Sequence, residues 1–75
     1  MKIVVGTVIS WDADEGWGVL RSAEVDSDIF AHFSELLMDG YRSLQPGQTV
    51  RFEFEHFPSG QDGYVYRARN LTAID

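Results

Sequence analysis

The sequence predicts an all-β domain of five short antiparallel strands that curl into a small closed barrel. Gly, Asp, Ser and Pro separate short apolar runs at intervals of about ten residues, a spacing typical of all-β domains. No stretch carries apolar residues at the sustained spacing of an amphipathic helix. The nearest candidate helix, residues 34–38, has Ser34 as its N-cap and stops before Gly40 after little more than one turn.

The five predicted strands are short and lie between turn residues. The first is rich in Val and Ile, and its Gly6 is expected to mark a bend or bulge. An acidic turn at 12–15 follows it, a turn at 45–47 precedes the fourth strand, and a loop at 58–63 precedes the fifth. The predicted strands span about residues 3–11, 16–21, 28–33, 48–57 and 64–73.

The fourth strand has the clearest pattern, because apolar and charged residues alternate along it. Residues 50, 52 and 54 (Val, Phe, Phe) face one way, and residues 51, 53 and 55 (Arg, Glu, Glu) face the other. Such a strand buries one face and leaves the other in water. Five strands of this kind fit both an SH3-like barrel and an OB-fold, and the pattern alone does not choose between them.

Length and composition limit what the chain can be. Its 75 residues allow one small domain over residues 1–75, which buries only about 60% of its unfolded surface and has little room for an enclosed active site. Without cysteine, neither disulfides nor thiolate zinc sites can stabilise it. The apolar run near residue 3 is too short for a signal peptide, and no segment is long enough to span a membrane. We therefore expect a soluble, cytoplasmic protein.

The charge and the aromatic content point in opposite directions. Twelve acidic and six basic residues give a net charge of −6, which argues against a polyanionic partner. However, two Trp, three Tyr and five Phe are a large aromatic content for so small a core.

The second and third strands place several flat side chains on one face. By alternation, Trp17 shares a face with Val19, and Phe30 shares one with His32. If Ile29 and its neighbour at 31 point inward, Trp17, Phe30 and His32 are exposed on adjacent strands. Exposed aromatic clusters usually mark binding surfaces, and unpaired bases stack on them. The alternative is that Trp17 and Phe30 are core residues, because a shift of one residue exchanges the two faces.

Several segments, in order along residues 6–71, carry a family resemblance: GTV at 6–8, EGWGVL at 15–20, DIFAHFS at 28–34, DGYRSL at 39–44 with GQ at 47–48, and ARNL at 68–71. In these segments the chain resembles the bacterial cold-shock protein family, whose two nucleic-acid motifs read K-G-F-G-F-I and D-V-F-V-H-F-S. The resemblance implies a five-stranded OB-type barrel that binds single-stranded RNA or DNA by base stacking.

The resemblance also implies which residues bind. Trp17 stands at the Phe of the first motif, and Trp11 stands at the Phe of the family's W-F-N segment. Phe33 falls on the face opposite Phe30 in simple alternation, so it either stacks at a twisted strand end or packs in the core. The six positions that match the family's binding residues are Trp11, Trp17, Phe30, His32, Phe33 and Tyr41.

The chain also departs from the family pattern. Ile9 and Ser10 replace a Lys and a surface Trp, Glu15 replaces the Lys of the first motif, and Val19 replaces a Phe. These changes remove aromatic surface and reverse a charge, so weaker and less salt-sensitive binding is expected. Candidate phosphate contacts, which are otherwise ordinary solvated charges, are Arg42, Arg67 and Arg69.

No residue pattern predicts catalysis, a cofactor or a metal site. His32 and His56 are too few for a metal centre, and the acidic turn at 12–15 lacks the looped cage that a hard cation needs. The glycines at 16 and 18 lie within a strand, which is not the context of a phosphate-binding loop.

Two functions therefore remain. The first is a single-strand binder that acts as an RNA chaperone or a regulator of transcription or translation, without a small-molecule substrate or a membrane partner. The second is a protein-interaction module that uses an apolar patch of Trp11, Trp17 and Phe30. We expect a monomer, with a weak dimer as the alternative.

Overall fold

The computed structural model describes residues 2–37, 43–61 and 64–74, with only the backbone described for residues 57–61. Five strands and a single turn of 3₁₀ helix account for most of these residues. In chain order they are β1 (Ile3–Asp12), β2 (Trp17–Arg21), β3 (Ile29–His32), the 3₁₀ helix (Phe33–Glu35), β4 (Thr49–Gln61) and β5 (Tyr64–Ala73). No helix in this part of the chain is long and apolar enough to cross a membrane.

The strands close into a barrel in the order β1-β2-β3-β5-β4, which confirms the predicted all-β fold. Four of the strand pairs are antiparallel, whereas β3 and β5 meet in parallel through Phe30 and Arg67. Closure gives every strand two neighbours, so no strand is left as an open edge of the sheet. It also brings the beginning of β5 beside β3, although more than thirty residues separate them in the chain.

Two predicted details of the strands are wrong. β4 continues to Gln61, which pairs with Tyr64, so most of the loop predicted at 58–63 is strand; residues 62–63 lie outside the described part. The bulge of β1 falls between Val8 and Ser10, so of the bend or bulge predicted at Gly6 the bulge is wrong. Gly6 is needed for a close approach instead, because a Cβ there would lie 2.5 Å from the carbonyl oxygen of Arg21.

The core confirms the inward faces that alternation predicted. In β3, Ile29 and Ala31 are fully buried, and in β4 Val50 and Phe52 are buried while Arg51 is exposed. The core cluster consists of Val4, Val8, Leu20, Ile29, Ala31, Leu36, Leu44, Val50, Phe52, Ala68 and Leu71. Because Ile29 and Ala31 point into it, the side chains between and after them must point away from it.

Candidate functional site

The pairing of β2 with β3 brings the predicted flat side chains together on the outer face. Trp17 lies opposite His32, and Val19 lies opposite Phe30. The Trp17 and Phe30 rings are stacked, with their centroids 5.4 Å apart and their planes 22° apart. Trp17 and His32 are half-buried, so each keeps part of its surface in contact with solvent. The prediction of which side chains of β2 and β3 point outward is therefore correct.

Phe30, however, is not exposed as predicted. Its side chain points away from the core and is outside the core cluster, yet only 3% of its surface is accessible. The ring of Trp17 covers it on one side, and the ring of Tyr64 lies against it at 6.2 Å with a 40° tilt. Alternation gives the direction of a side chain but not what covers it, which here depends on a neighbour from a distant strand.

Tyr64 is the site residue that the sequence analysis missed. It is the first residue of β5 and is half-buried. Its position beside Phe30 follows from the parallel contact of β3 with β5 at Phe30 and Arg67. A large aromatic residue just after a Gly-containing loop was the available signal. The strand pattern does not show which strands pair when they are far apart in the chain, so the contact of Tyr64 with Phe30 could not be predicted.

The acidic turn between β1 and β2 fixes the orientation of Trp17. Asp12 Oδ1 accepts hydrogen bonds from the backbone N–H groups of Asp14 and Glu15, both at 3.0 Å. Gly16 takes a positive φ of 78°, which favours glycine, and so turns the chain into β2. The exposed Glu15 then accepts a hydrogen bond from the indole Nε1 of Trp17 at 3.0 Å. The residue that reverses the family's charge thus positions the half-buried ring of Trp17.

The end of β3 accounts for Phe33. His32 caps the 3₁₀ helix, and its Nδ1 accepts a hydrogen bond from the backbone N–H of Ser34 at 3.3 Å. This turn breaks the strand alternation, so Phe33 is 41% exposed and its ring lies 4.7 Å from that of His32. Packing of Phe33 in the core is therefore wrong, and its place at the end of the strand fits the stacking alternative.

Phe33 is also held against the turn that precedes β2. Its backbone N–H donates to the carbonyl oxygen of Gly16 at 2.8 Å, and a Cβ on Gly16 would lie 2.7 Å from the Phe33 ring. Only glycine leaves room for this contact. The outer side chains at this end of the barrel are called here the aromatic face, which consists of Trp17, Phe30, His32, Phe33 and Tyr64.

Two predicted site residues are not part of this described surface. Trp11 is half-buried and packs against the core cluster, with its ring above Gly18. Its indole Nε1 is buried and has no hydrogen-bond partner among the described residues. Tyr41, like the candidate phosphate contact Arg42, lies outside the described residues.

The two arginines of β5 differ in their availability. Arg69 forms ion pairs with Glu35 at 2.9 Å and with Glu55, and its pKa is raised above the usual value, mainly by the hydrogen bond to Glu55. These bonds join the 3₁₀ helix to β4 and β5, so Arg69 is not a free phosphate contact. Arg67 lies opposite Phe30, forms no ion pair with any described residue, and has a buried Nε without a partner.

The comparisons with known proteins agree with this architecture. The model of the 'Cold-shock' DNA-binding domain family matches residues 4–73. The cold shock-like protein CspD of Haemophilus influenzae is 46% identical over 56 residues, covering 75% of this chain and 78% of that protein. A cold shock-like protein of Aquifex aeolicus is 32% identical over 69 residues, covering 92% of this chain and 91% of that protein.

A solved structure also resembles the barrel. The chain superposes on the structure described as drosophila Unr CSD456 with a TM-score of 0.73 and 27% sequence identity. The match covers 99% of this chain but only 27% of the other. Together with the closed five-stranded barrel, it confirms the OB-type fold that the sequence resemblance implied.

The burial of Phe30 generates a prediction about stability. Phe30→Ala should lower the free energy of unfolding by about 3 kcal/mol, because it removes a nearly inaccessible ring and leaves a cavity. Phe33→Ala is the matched control and should cost below about 1 kcal/mol, because that side chain is already 41% exposed. Urea unfolding followed by circular dichroism measures both. Equal small losses would show that Phe30 is not packed as described.

Proposed function

The chain belongs to the 'cold-shock' DNA-binding domain family, and from this membership we propose that it binds single-stranded RNA or DNA by stacking unpaired bases on the aromatic face. The observation that carries the proposal is the half-exposed Trp17 ring, stacked on Phe30 and held by Glu15. A ring already fixed in place loses little conformational freedom when a base stacks on it. Such stacking contributes about 1–3 kcal/mol per base and tolerates any sequence.

The proposed action needs no catalysis. A protein that binds only unpaired strands shifts the equilibrium of an RNA hairpin towards its open form by mass action. It requires no nucleotide fuel, cofactor or small-molecule substrate. We propose that one domain over residues 1–75 acts in this way, as a monomer in the cytoplasm, as an RNA chaperone or a regulator of transcription or translation.

The structure gives less support to a protein-interaction module. That alternative relied on an apolar patch of Trp11, Trp17 and Phe30. Trp11 packs against the core, and Phe30 is almost inaccessible beneath its neighbours. A protein partner would therefore meet separate rings rather than one wide apolar surface, whereas a base needs only one ring.

Tryptophan emission tests the proposal. Titration with oligothymidine at low salt should quench the emission of Trp17, because the base stacks on its ring. Trp17→Ala should weaken binding by about 1–3 kcal/mol, measured independently by the fluorescence anisotropy of a labelled oligonucleotide. Trp17→Phe is the control: it keeps a stacking ring and most of the affinity but loses the quenching.

The negative result is equally clear. Non-specific nucleic-acid binding typically has dissociation constants of about 1–100 µM at physiological salt. If neither emission nor anisotropy changes up to the upper end of that range at low salt, the proposed function is wrong.

Glu15 should weaken binding through its charge while positioning Trp17 through its hydrogen bond. Glu15→Gln separates the two effects, because the amide oxygen still accepts from the indole N–H but carries no charge. We expect affinity to rise about 2- to 5-fold at low salt and the gain to fall as salt screens the charge.

Glu24→Gln provides the matched control for this change. It removes the same charge from an exposed residue that pairs with Lys2, outside the aromatic face. An equal gain in both variants would show that net charge, and not the position of Glu15, limits binding.

Arg67 is the best-placed cation for a phosphate, and the salt dependence of binding tests this. Each phosphate contact to a single strand contributes about 0.7 to the slope of log affinity against log salt. Arg67→Met should lower the slope by about that amount. Arg51→Met, which removes an exposed charge on β4 opposite Val5, should leave it unchanged. The same slope in both variants and the wild type would exclude Arg67 as a phosphate contact.

A further inference from the structure

We propose that Tyr64 is an additional base-stacking position, which extends the binding surface from β2 and β3 onto β5. The inference rests on the proposed function and deepens it. Neither cold-shock motif includes this position. A single-stranded nucleic acid bound to the aromatic face would therefore stack one base more than the motif residues alone accept.

The first argument is the order of the three rings. Phe30 lies between Trp17, at 5.4 Å, and Tyr64, at 6.2 Å. Because only 3% of Phe30 is accessible, its own faces are occupied by its neighbours. The surface that a base can reach therefore lies on the two outer rings. Phe30 acts as a positioning residue that sets the separation and tilt of Trp17 and Tyr64.

The second argument comes from comparing Tyr64 with Tyr66, two residues further along β5. Tyr66 has several partners: its hydroxyl donates to Asp26 Oδ1 at 2.9 Å, and its ring contacts Phe54 and His56 and packs against the core cluster. Tyr64 contacts the Phe30 ring, and its hydroxyl forms no hydrogen bond with any described residue. Tyr64 is half-buried, so part of its side chain is in contact with solvent and can be reached by a ligand.

The third argument is a cation that lies opposite Phe30 on β5. Arg67 lies opposite Phe30 in the β3–β5 contact and forms no ion pair among the described residues. Its Nε is buried and lacks a partner there, whereas buried donors are almost always bonded. An aromatic ring for a base with an unpaired guanidinium for the adjoining phosphate is the combination that single-strand sites use.

The experiment uses oligothymidines of about four to about ten nucleotides, a range that covers short OB-fold sites, with binding measured by the anisotropy of a label. Tyr64→Leu is the informative variant, because leucine still covers Phe30 but offers no aromatic face. Its affinity for the longest oligonucleotide should fall about 5- to 150-fold, with no change for the shortest. Wild-type affinity should stop increasing one nucleotide later than that of the variant.

Two further variants define the role of the ring. Tyr64→Phe keeps the stacking surface and should bind within a few-fold of wild type. Tyr66→Leu makes the same change on the packed ring, so it should lower the unfolding midpoint and leave the affinity of the folded protein unchanged. Unfolding curves for all variants verify that binding is measured on folded protein.

The outcomes separate this inference from the proposed function. Absence of binding by the wild type at every length overturns both. Normal binding by Tyr64→Leu at every length overturns only the role of Tyr64. An equal loss at every length also overturns it, because Tyr64 would then act through Phe30 on the whole face instead of adding a position.

Discussion

The pairing of β2 with β3 is the constraint on which the rest of the site depends. It sets Trp17 opposite His32 and Val19 opposite Phe30. Because Ile29 and Ala31 are buried in the core, these four side chains lie on the outer face of the barrel. A shift of one residue would exchange the two faces. On its other side β2 approaches β1 closely at Gly18, since a Cβ there would lie 2.3 Å from the carbonyl oxygen of Ser10 and would force β1 away from β2.

The aromatic face is a supported structure rather than a set of loose rings. Phe30 is packed between Trp17 and Tyr64, Glu15 holds the indole, and Phe33 lies against Gly16. These contacts fix the rings before a ligand arrives, which reduces the conformational entropy lost on binding. Phe30 is thus a packed residue of the outer face, whereas Phe33, which follows β3, is 41% exposed.

Net charge describes this protein poorly because the charges are unevenly arranged. The total is −6, yet the charges next to the aromatic face are few and have separate tasks. Arg69 joins the 3₁₀ helix to β4 and β5 through Glu35 and Glu55, and Glu15 orients Trp17. Arg67 has no such partner among the described residues. Stacking acts over a few ångströms, whereas exposed charges further away are screened by salt, so an acidic protein can still present a surface suited to bases.

The sequence by itself determined the strands, their inward faces and the phase of Trp17, Phe30 and His32, because these follow from local alternation and turn residues. It also identified the family, because the motif around residues 28–34 is specific. Only the tertiary structure decided that Phe30 is covered, that Phe33 leaves the strand pattern, that Arg69 is engaged and that Tyr64 joins the face. Each of these depends on the contact of β5 with β3 and β4 or on the turn that follows β3. The contacts of β5 join residues far apart in the chain, so no local pattern records them, whereas the departure of Phe33 comes from the 3₁₀ turn at Phe33–Glu35.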